Sequence, residues 1–295
     1  MALTVILVIL ASALSGVTFY YGGYYHSMAW VWLPFALAIA YFWGLFLVHA
    51  LYMAAFSFVI KHSKKEDYKP NRYAMWMLGE TCHILLMLFR VRVHATGLGK
   101  IPSPKTKFMI VSNHLSGFDH VGLISCFVRH RMICVSKMKN LSTPVAGGWI
   151  KFAGYLNIVQ DDVVSGTKLI ERAGEYIKEG NCSVCIAPEG TRNKDFPDPE
   201  ILPFKPGAFQ MAYIAHCPIV VFAIQNTNCV LKRFPLRGTD AYYDCVAVID
   251  YEDYKDLTPA ELAKKVEGYI ARRFEQKRAR FYHLKPKKAE EEAAK

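Results

Sequence analysis

The sequence predicts an α/β domain whose central sheet is mixed but largely parallel and is flanked by helices, preceded by an N-terminal two-helix membrane segment. Two observations predict this. Short β-type runs recur after residue 90 with helical stretches between several of them, which is typical of a sheet covered by helices. No Asp, Glu, Lys or Arg occurs from Met1 to Ile60. We therefore divide the chain into a membrane-embedded helical segment (1–66), an α/β domain (67–284) and a disordered tail (285–295).

The charge-free segment contains two apolar runs, from Ala2 to Tyr21 and from Met28 to Ile60, separated by a turn rich in tyrosine and glycine. A spanning helix needs about 20 apolar residues, so both runs are long enough. The second is longer than a bilayer core requires and should tilt, begin near Pro34, or lie partly in the interface. The pair either spans the bilayer as a hairpin or dips into one leaflet, and the sequence does not choose between these.

A cleaved signal peptide is the competing interpretation of the first run. Ala11-Ser12-Ala13 resembles a cleavage site, but the charged region that begins a signal peptide is missing. The basic residues Lys61, Lys64 and Lys65 follow the second run. By the positive-inside rule they place the α/β domain on the cytoplasmic face of the membrane.

The remaining chain alternates predicted strands and helices. A polar joint from Lys61 to Asn71 leads into an apolar helix that ends near Phe89, and Gly166 to Glu179 has the pattern of a surface helix. Thr258-Pro-Ala-Glu261 is a strong helix start. The predicted strands are Val91–Ala95, Lys107–Ser112, Met132–Ser136, Tyr155–Val159, Ser183–Ala187, Ile219–Ile224 and Cys245–Ile249.

The net charge of +11 fits an anionic partner, either nucleic acid, anionic lipid or a phosphorylated substrate. Eight cysteines contain one C-x-x-C pair, Cys182 and Cys185. On a strand, an offset of three places the two thiols on opposite faces. The cysteines are therefore expected to be buried thiols in a reducing compartment and not a metal or disulfide centre.

The run Ser112-Asn113-His114-Leu-Ser-Gly-Phe-Asp119 directly follows a predicted strand, where α/β sheets place their active sites. A neutral His beside a hydroxyl can take its proton, and a carboxylate on the far ring nitrogen fixes the tautomer. His114 and Asp119 can meet if Gly117 lets the chain fold back. Without a partner motif, such a pair usually caps the next helix.

A second motif, Pro188-Glu189-Gly190-Thr191-Arg192, also follows a predicted strand. Arg can bind two phosphate oxygens at once, and Gly lets backbone amides approach. Lys205, in Phe204-Lys-Pro-Gly207, and Lys137, at the end of another strand, add two cations. These residues together indicate a phosphate site.

Together these motifs resemble the glycerolipid acyltransferase family, specifically the 1-acylglycerol-3-phosphate acyltransferases. Asn113-His114 with Asp119 matches the catalytic block, and Glu189-Gly-Thr-Arg192 matches the phosphate-binding block about seventy-five residues on. Phe204-Lys-Pro-Gly207 and Pro218-Ile-Val220 match later blocks. The resemblance covers roughly residues 90 to 225 and extends to the N-terminal apolar helices.

The resemblance implies transfer of an acyl chain from a thioester to the hydroxyl of lysophosphatidic acid, giving phosphatidic acid. His114 and Asp119 would be catalytic. The implied substrate-binding residues are Asn113, Lys137, Glu189, Gly190, Thr191, Arg192, Lys205 and Gly207. No metal or cofactor is expected. The implied partners are the bilayer, the lysophospholipid and an acyl-CoA or acyl carrier protein thioester, without nucleic acid.

One position departs from the family, since Gln160 stands where members often carry Arg. The acceptor is then lysophosphatidic acid held by fewer contacts, or a related lysophospholipid with another headgroup. Two other mechanisms are disfavoured. Ser116 lacks a G-x-S-x-G elbow, and a metal hydrolase built on His114, Asp119 and His120 lacks a second ligand cluster. A non-catalytic lipid or nucleic-acid binder would leave both motifs unexplained.

Overall fold

The computed structural model describes residues 2–24, 32–65, 68–158, 163–196 and 200–277. The predicted tail (285–295) and Gln160 lie outside this part of the chain. The helices are α1 (Ala2–Tyr21), α2 (Leu33–Lys61), α3 (Arg72–Leu88), α4 (Phe118–Cys126), α5 (Ala146–Phe152), α6 (Val163–Lys178), α7 (Gln210–Ala215), α8 (Val230–Arg233) and α9 (Pro259–Lys277). The strands are β1 (Val91–Thr96), β2 (Met109–Ser112), β3 (Met132–Lys137), β4 (Leu156–Ile158), β5 (Ser183–Ile186), β6 (Ile219–Gln225) and β7 (Thr239–Ile249).

The two N-terminal helices are long and apolar enough to cross a membrane, and most of their side chains are exposed. They pack on one another: the Ser15 hydroxyl donates to the Pro34 carbonyl over 2.6 Å, and the Thr18 and Tyr41 hydroxyls lie 2.7 Å apart. These apolar surfaces associate the chain with a membrane. α2 begins at Leu33 with Pro34 in its first turn, as one of the three predicted alternatives has it. At 29 residues it is still longer than a spanning helix needs, so tilt and an interfacial position stay predictions.

The last two turns of α2 are part of the α/β domain's packing. Met53, Ser57 and Ile60 are buried. The Trp149 indole donates to the Met53 carbonyl over 2.9 Å, and the Gly148 amide donates to the Ser57 hydroxyl over 3.1 Å. A Cβ on Gly148 would lie 2.4 Å from the Ser57 carbonyl oxygen, so glycine permits this close approach. Packing therefore crosses the boundary that we placed at residue 66.

The sheet has the strand order β1-β7-β6-β2-β5-β3-β4, and of these neighbouring pairs β6/β7 is antiparallel and the others are parallel. This confirms the predicted fold class. Each predicted run overlaps a strand, but β7 begins at Thr239 and not at Cys245. Asp240 and Asp244 interrupt the apolar pattern there. Both carboxylates are paired in the fold, Asp240 with Arg92 over 2.7 Å and Asp244 with Arg273 over 3.2 Å.

The sheet divides two apolar layers. Cys182 lies in the layer with Trp149 and α9, whereas Cys185 lies in the layer with Phe108 and Phe222. This confirms that the C-x-x-C thiols point to opposite faces. All eight cysteines are free thiols, and six of them are buried.

The predicted helix starts are also present. The Asn71 side chain accepts from the Ala74 amide over 3.0 Å at the start of α3. At α9 the Glu261 amide donates to the Thr258 hydroxyl over 3.3 Å, while the Glu261 carboxylate accepts from the Thr258 amide over 2.8 Å. This reciprocal pair is a capping box. The ion pair with Asp244 directs Arg273, one of the basic α9 residues, toward the sheet.

Candidate active site

Three neighbouring parallel strands, β6, β2 and β5, end at one edge of the sheet. The loop after β2 carries residues 113–117, the loop after β5 carries residues 187–193, and the loop after β6 carries residues 226–229. Because parallel strands point their carboxyl ends the same way, these loops converge. The two sequence motifs are therefore brought together by the order of the strands.

Asn113 fastens β2 to β6. Its side-chain amide donates to the Ile224 carbonyl over 2.9 Å and accepts from the Ile224 amide over 2.8 Å. The side chain is fully buried. Asn113 thus holds the start of the His114 loop, and this geometry does not support the substrate contact that we predicted for it.

His114 and Asp119 are joined as expected. His114 Nδ1 lies 2.8 Å from Asp119 Oδ2. The same oxygen accepts from the amides of Leu115 and Ser116 over 2.7 and 2.8 Å. Since an ionised carboxylate only accepts hydrogen bonds, the proton is assigned to Nδ1, and Nε2 is left as the acceptor. Asp119 is fully buried, whereas the His114 side chain is 14% exposed, so the ring faces the site from a fixed support.

Gly117 does not have the role that we predicted. Its φ and ψ of −63° and −24° are ordinary helical values that any residue adopts. The loop folds back because Asp119, in the first turn of α4, binds the amides before it. A Cβ on Gly117 would lie 3.7 Å from Arg192 Nη2. Gly117 therefore marks where the second motif approaches the first.

Thr227 completes the support of Asp119 and was missed by the sequence analysis. Its hydroxyl, which is buried, donates to Asp119 Oδ1. Thr227 lies 108 residues beyond Asp119, directly after β6. The polar run Gln225-Asn226-Thr227-Asn228 at the end of an apolar strand was the signal that could have identified it.

The ring of His120 packs against the ring of His114. The ring centroids are 5.2 Å apart in an edge-to-face arrangement. Burial, and next the charge of His114, lower the pKa of His120 to about 4, so its ring is neutral at pH 7. A ring nitrogen of His120 lies within 4.8 Å of the Sγ atoms of Cys134 and Cys185. The hydrogen bond with Cys185, followed by burial, raises the pKa of Cys134, which keeps this thiol neutral.

The main chain of His114 is held from both sides by the second motif. Its amide donates to Glu189 Oε1 over 2.9 Å, and its carbonyl accepts from the Asn193 amide over 2.7 Å. Glu189 is buried, with 4% of its surface exposed. Glu189 Oε1 therefore supports the His114 backbone, and the substrate contact that we predicted for Glu189 stays a prediction.

Arg192 of the second motif and Lys205 are the two cations of this part of the site. Arg192 is exposed beside Gly117. Lys205 lies over Gly190, where an added Cβ would be 3.0 Å from the ammonium nitrogen, and Gly190 has the positive φ of 69° that favours glycine. The Lys205 amide also donates to the Pro188 carbonyl over 3.0 Å. Arg192 and Lys205 therefore come from one folded unit beside His114.

The remaining predicted substrate-binding residues are Thr191, Gly207 and Lys137. Thr191 is exposed next to Arg192, and Gly207 is the second residue of the short helical turn Pro206–Phe209, which follows Lys205. Lys137 ends β3, which β5 separates from β2. In the described part of the chain, no hydrogen bond or ion pair links the Lys137 side chain to the His114 loop.

A cleft of about 330 Å³ opens beside the His114 loop. It lies between α3, α4 and α8. Its polar lining residues are Ser116, Arg192, Thr227 and Asn228. The apolar lining residues are Leu85, Phe89, Phe118, Val121 and Leu231. The cleft thus offers an apolar chain a place next to a cation.

The buried Glu189 makes a testable contribution to stability. Burial raises the pKa of its carboxyl from 4.5 to about 8. Between these values the unfolded chain has lost the proton that the folded chain keeps, so the free energy of unfolding falls as pH rises, by at most about 1.4 kcal/mol per pH unit. Glu189→Gln should therefore flatten the decline in melting temperature between pH 5 and 8. Glu252→Gln, at an exposed side chain, is the control and should retain the decline. An unchanged decline in Glu189→Gln would contradict this assignment.

The geometry can be compared with known proteins. The sequence model of the acyltransferase family matches residues 92–225. A chloroplastic 1-acyl-sn-glycerol-3-phosphate acyltransferase of Brassica napus is 33% identical over 135 residues, which is 46% of this chain and 38% of that protein. The alpha enzyme of that name from Mus musculus is 26% identical over 175 residues, 59% of this chain and 60% of that protein. The matches thus span about two fifths to three fifths of these relatives.

A solved structure shows the same fold. The crystal structure of the 1-acyl-sn-glycerophosphate (LPA) acyltransferase PlsC from Thermotoga maritima aligns with a TM-score of 0.53 at 20% identity, covering 94% of this chain and 97% of that chain. The alignment includes the N-terminal helices as well as the sheet, because it covers nearly the whole chain. The matched segment 92–225 contains β1 to β6 and carries both motifs. Residues 92–225 of this chain are therefore similar to the acyltransferase family, and the whole chain shares the fold of the solved structure.

Proposed function

We propose that this protein is a 1-acylglycerol-3-phosphate O-acyltransferase, which moves a fatty acyl chain from a thioester to the free hydroxyl of lysophosphatidic acid. The observation that carries the proposal is the His114–Asp119 pair at 2.8 Å beside Arg192. A base beside a fixed cation suits an acceptor that bears both a hydroxyl and a phosphate. The match of residues 92–225 to the acyltransferase family model and the names of the relatives support this reaction.

The reaction follows from where the protons of the His114–Asp119 pair lie. His114 Nε2 takes the acceptor's hydroxyl proton while the oxygen attacks the thioester carbonyl. Asp119 stays a carboxylate and stabilises the imidazolium. The C–S bond then breaks, and the imidazolium returns the proton to the leaving thiolate. One ester forms for each thiol released, and no acyl-enzyme is needed.

The proposed acceptor contacts are Arg192 and Lys205. Arg192 is suited to bind two phosphate oxygens at once, and Lys205 adds a point charge on the same loop unit. Lys137 would contribute only to a headgroup that reaches across β5. The thioester is carried by CoA or by an acyl carrier protein, and the reaction requires no metal or cofactor in this proposal. The site would work at the cytoplasmic face of the membrane.

An acceptor panel tests the proposal. The full chain in mixed micelles would receive a radiolabelled acyl thioester and either lysophosphatidic acid, lysophosphatidylcholine or lysophosphatidylglycerol, each with and without a chelator. We expect transfer to lysophosphatidic acid that the chelator does not change. Preferred transfer to another headgroup would identify the alternative acceptor. Absence of transfer to every acceptor would refute the proposed activity.

Thr227 should act as a positioning residue in this reaction. Thr227→Val removes the hydroxyl that donates to Asp119 and should lower kcat about tenfold or more, since a hydrogen bond to a charged group is worth about 1.5–3 kcal/mol. KM for the lysophospholipid should change little, and Thr227→Ser should restore kcat. The matched control is Thr239→Val, because Thr239 is also buried and its hydroxyl has no partner among the described residues. Equal losses in both valine variants would show that Thr227 is only structural.

A further inference from the structure

An exposed apolar surface lies next to the proposed site, where the end of α3 meets α8 and the segment that follows it. Five large apolar side chains form it. Their exposed fractions are 57% for Met87, 51% for Leu88, 67% for Leu231, 36% for Phe234 and 87% for Leu236. We call these five residues the α3–α8 patch. Clusters of this kind on a protein surface mark interaction sites.

The two halves of the patch are held together. The rings of Phe89 and Phe234 have centroids 4.7 Å apart. The Arg90 guanidinium donates to the Pro235 carbonyl over 3.2 Å, and the Thr239 amide donates to the Arg90 carbonyl over 3.1 Å. The patch is therefore a defined surface and not a loose loop.

The surroundings of the patch are basic. Arg90, Lys232 and Arg237 are exposed around it. No Asp or Glu occurs in either contributing stretch, residues 81–118 and 227–239. Apolar tips within a ring of Lys and Arg are suited to the headgroup boundary of an anionic bilayer.

We propose that the α3–α8 patch is a second membrane contact, which inserts Leu231 and Leu236 into an anionic bilayer while its basic residues bind the headgroups. Leu231 also lines the cleft that contains Arg192. The contact thus places the mouth of the cleft at the bilayer surface, a consequence that rests on the proposed lipid acyl transfer. A second copy of this chain is the poorer occupant, because a two-fold interface through this patch would bring the same cations of both copies together.

Depth measurements on the full chain test this contact. A nitroxide label would be attached at Leu236→Cys or, as a control, at Val164→Cys, because the Val164 side chain on α6 is also exposed, at 66%. Both would be made in a background with Cys126→Ala and Cys229→Ala, which removes the two partly exposed thiols. The labelled proteins are reconstituted into phosphatidylglycerol or phosphatidylcholine vesicles, and collision with oxygen and with a water-soluble nickel chelate is measured.

We expect the label at 236 to be immersed in the anionic vesicles and the label at 164 to stay in water. Lys232→Gln with Arg237→Gln should reduce the immersed population by roughly tenfold or more, since each surface cation contributes about fivefold. Equal water access at 236 and 164 would overturn the contact, and equal immersion in neutral vesicles would overturn the role of the cations. Protection of 236 in detergent that depends on protein concentration would indicate a second copy and overturn the bilayer as occupant. The measurement needs no turnover, so it can fail while acyl transfer is retained, and a loss of transfer leaves it unaffected.

Discussion

Replacing His114 by alanine is expected to lower the rate of acyl transfer by about 10²–10⁴, the usual contribution of a general base. Nε2 of this imidazole is the ring nitrogen left to accept a proton, because Nδ1 is bound to Asp119 over 2.8 Å. The fold should survive, since the His114 main chain keeps its bonds to Glu189 and Asn193. Initial rates of the purified variant with saturating thioester would measure the loss.

A matched variant controls for the removal of any imidazole. His94 is partly exposed and binds Asp240 over 2.8 Å on β7, away from the β2 loop. His94→Ala should retain the rate. Near-normal turnover by His114→Ala, with the same melting temperature as the native chain, would remove His114 from the mechanism.

Replacing Arg192 by lysine is expected to weaken binding of the acceptor by tenfold or more, although the charge is kept. An ammonium cannot make the two parallel bonds to phosphate oxygens that a guanidinium makes, and a charged hydrogen bond is worth about 1.5–3 kcal/mol. Arg192 lines the cleft together with Ser116 and lies beside Gly117. The loss should appear in KM for lysophosphatidic acid and not in KM for the thioester.

Arg129→Lys is the matched control, because Arg129 is exposed in the turn that follows α4 and contributes to neither motif. It should leave both KM values unchanged. If Arg192→Lys weakens binding of the acceptor and of the thioester equally, Arg192 does not bind the acceptor phosphate.

The sequence was most informative where the chemistry is local. His114 and Asp119 are five residues apart, and one helical turn with its preceding loop is enough to join them. The strands could be found because each is a short apolar run between polar breaks. Strand order was not predictable, and it is the order β6-β2-β5 that places the Glu189 and Thr227 loops beside His114.

The contacts of two motif residues in the fold have the same long-range origin. Asn113 and Glu189 were predicted as substrate contacts because they belong to the motifs. In the fold they bind backbone, Asn113 at Ile224 and Glu189 at His114. Such partners are 111 and 75 residues away in the chain, and a single sequence does not encode those pairings as a pattern.

The packing of α2 shows a related limit. Its composition predicts a membrane helix throughout, yet the buried Ser57 accepts from Gly148 and donates to the Pro144 carbonyl over 3.1 Å. A small polar residue in an apolar run was the one local sign that this end of the helix meets protein. The apolar character of the run concealed it.

The central claim is that the acyl group passes directly from the thioester to the lysophospholipid hydroxyl with His114 as the base. A pulse–chase with excess purified enzyme measures this most directly: a radiolabelled acyl thioester is added first, and lysophosphatidic acid follows. We predict no label on the protein before the acceptor is added, and afterwards one phosphatidic acid formed per thiol released, with this phase lost in His114→Ala. Label that becomes covalently attached to the protein and then chases into phosphatidic acid would contradict direct transfer.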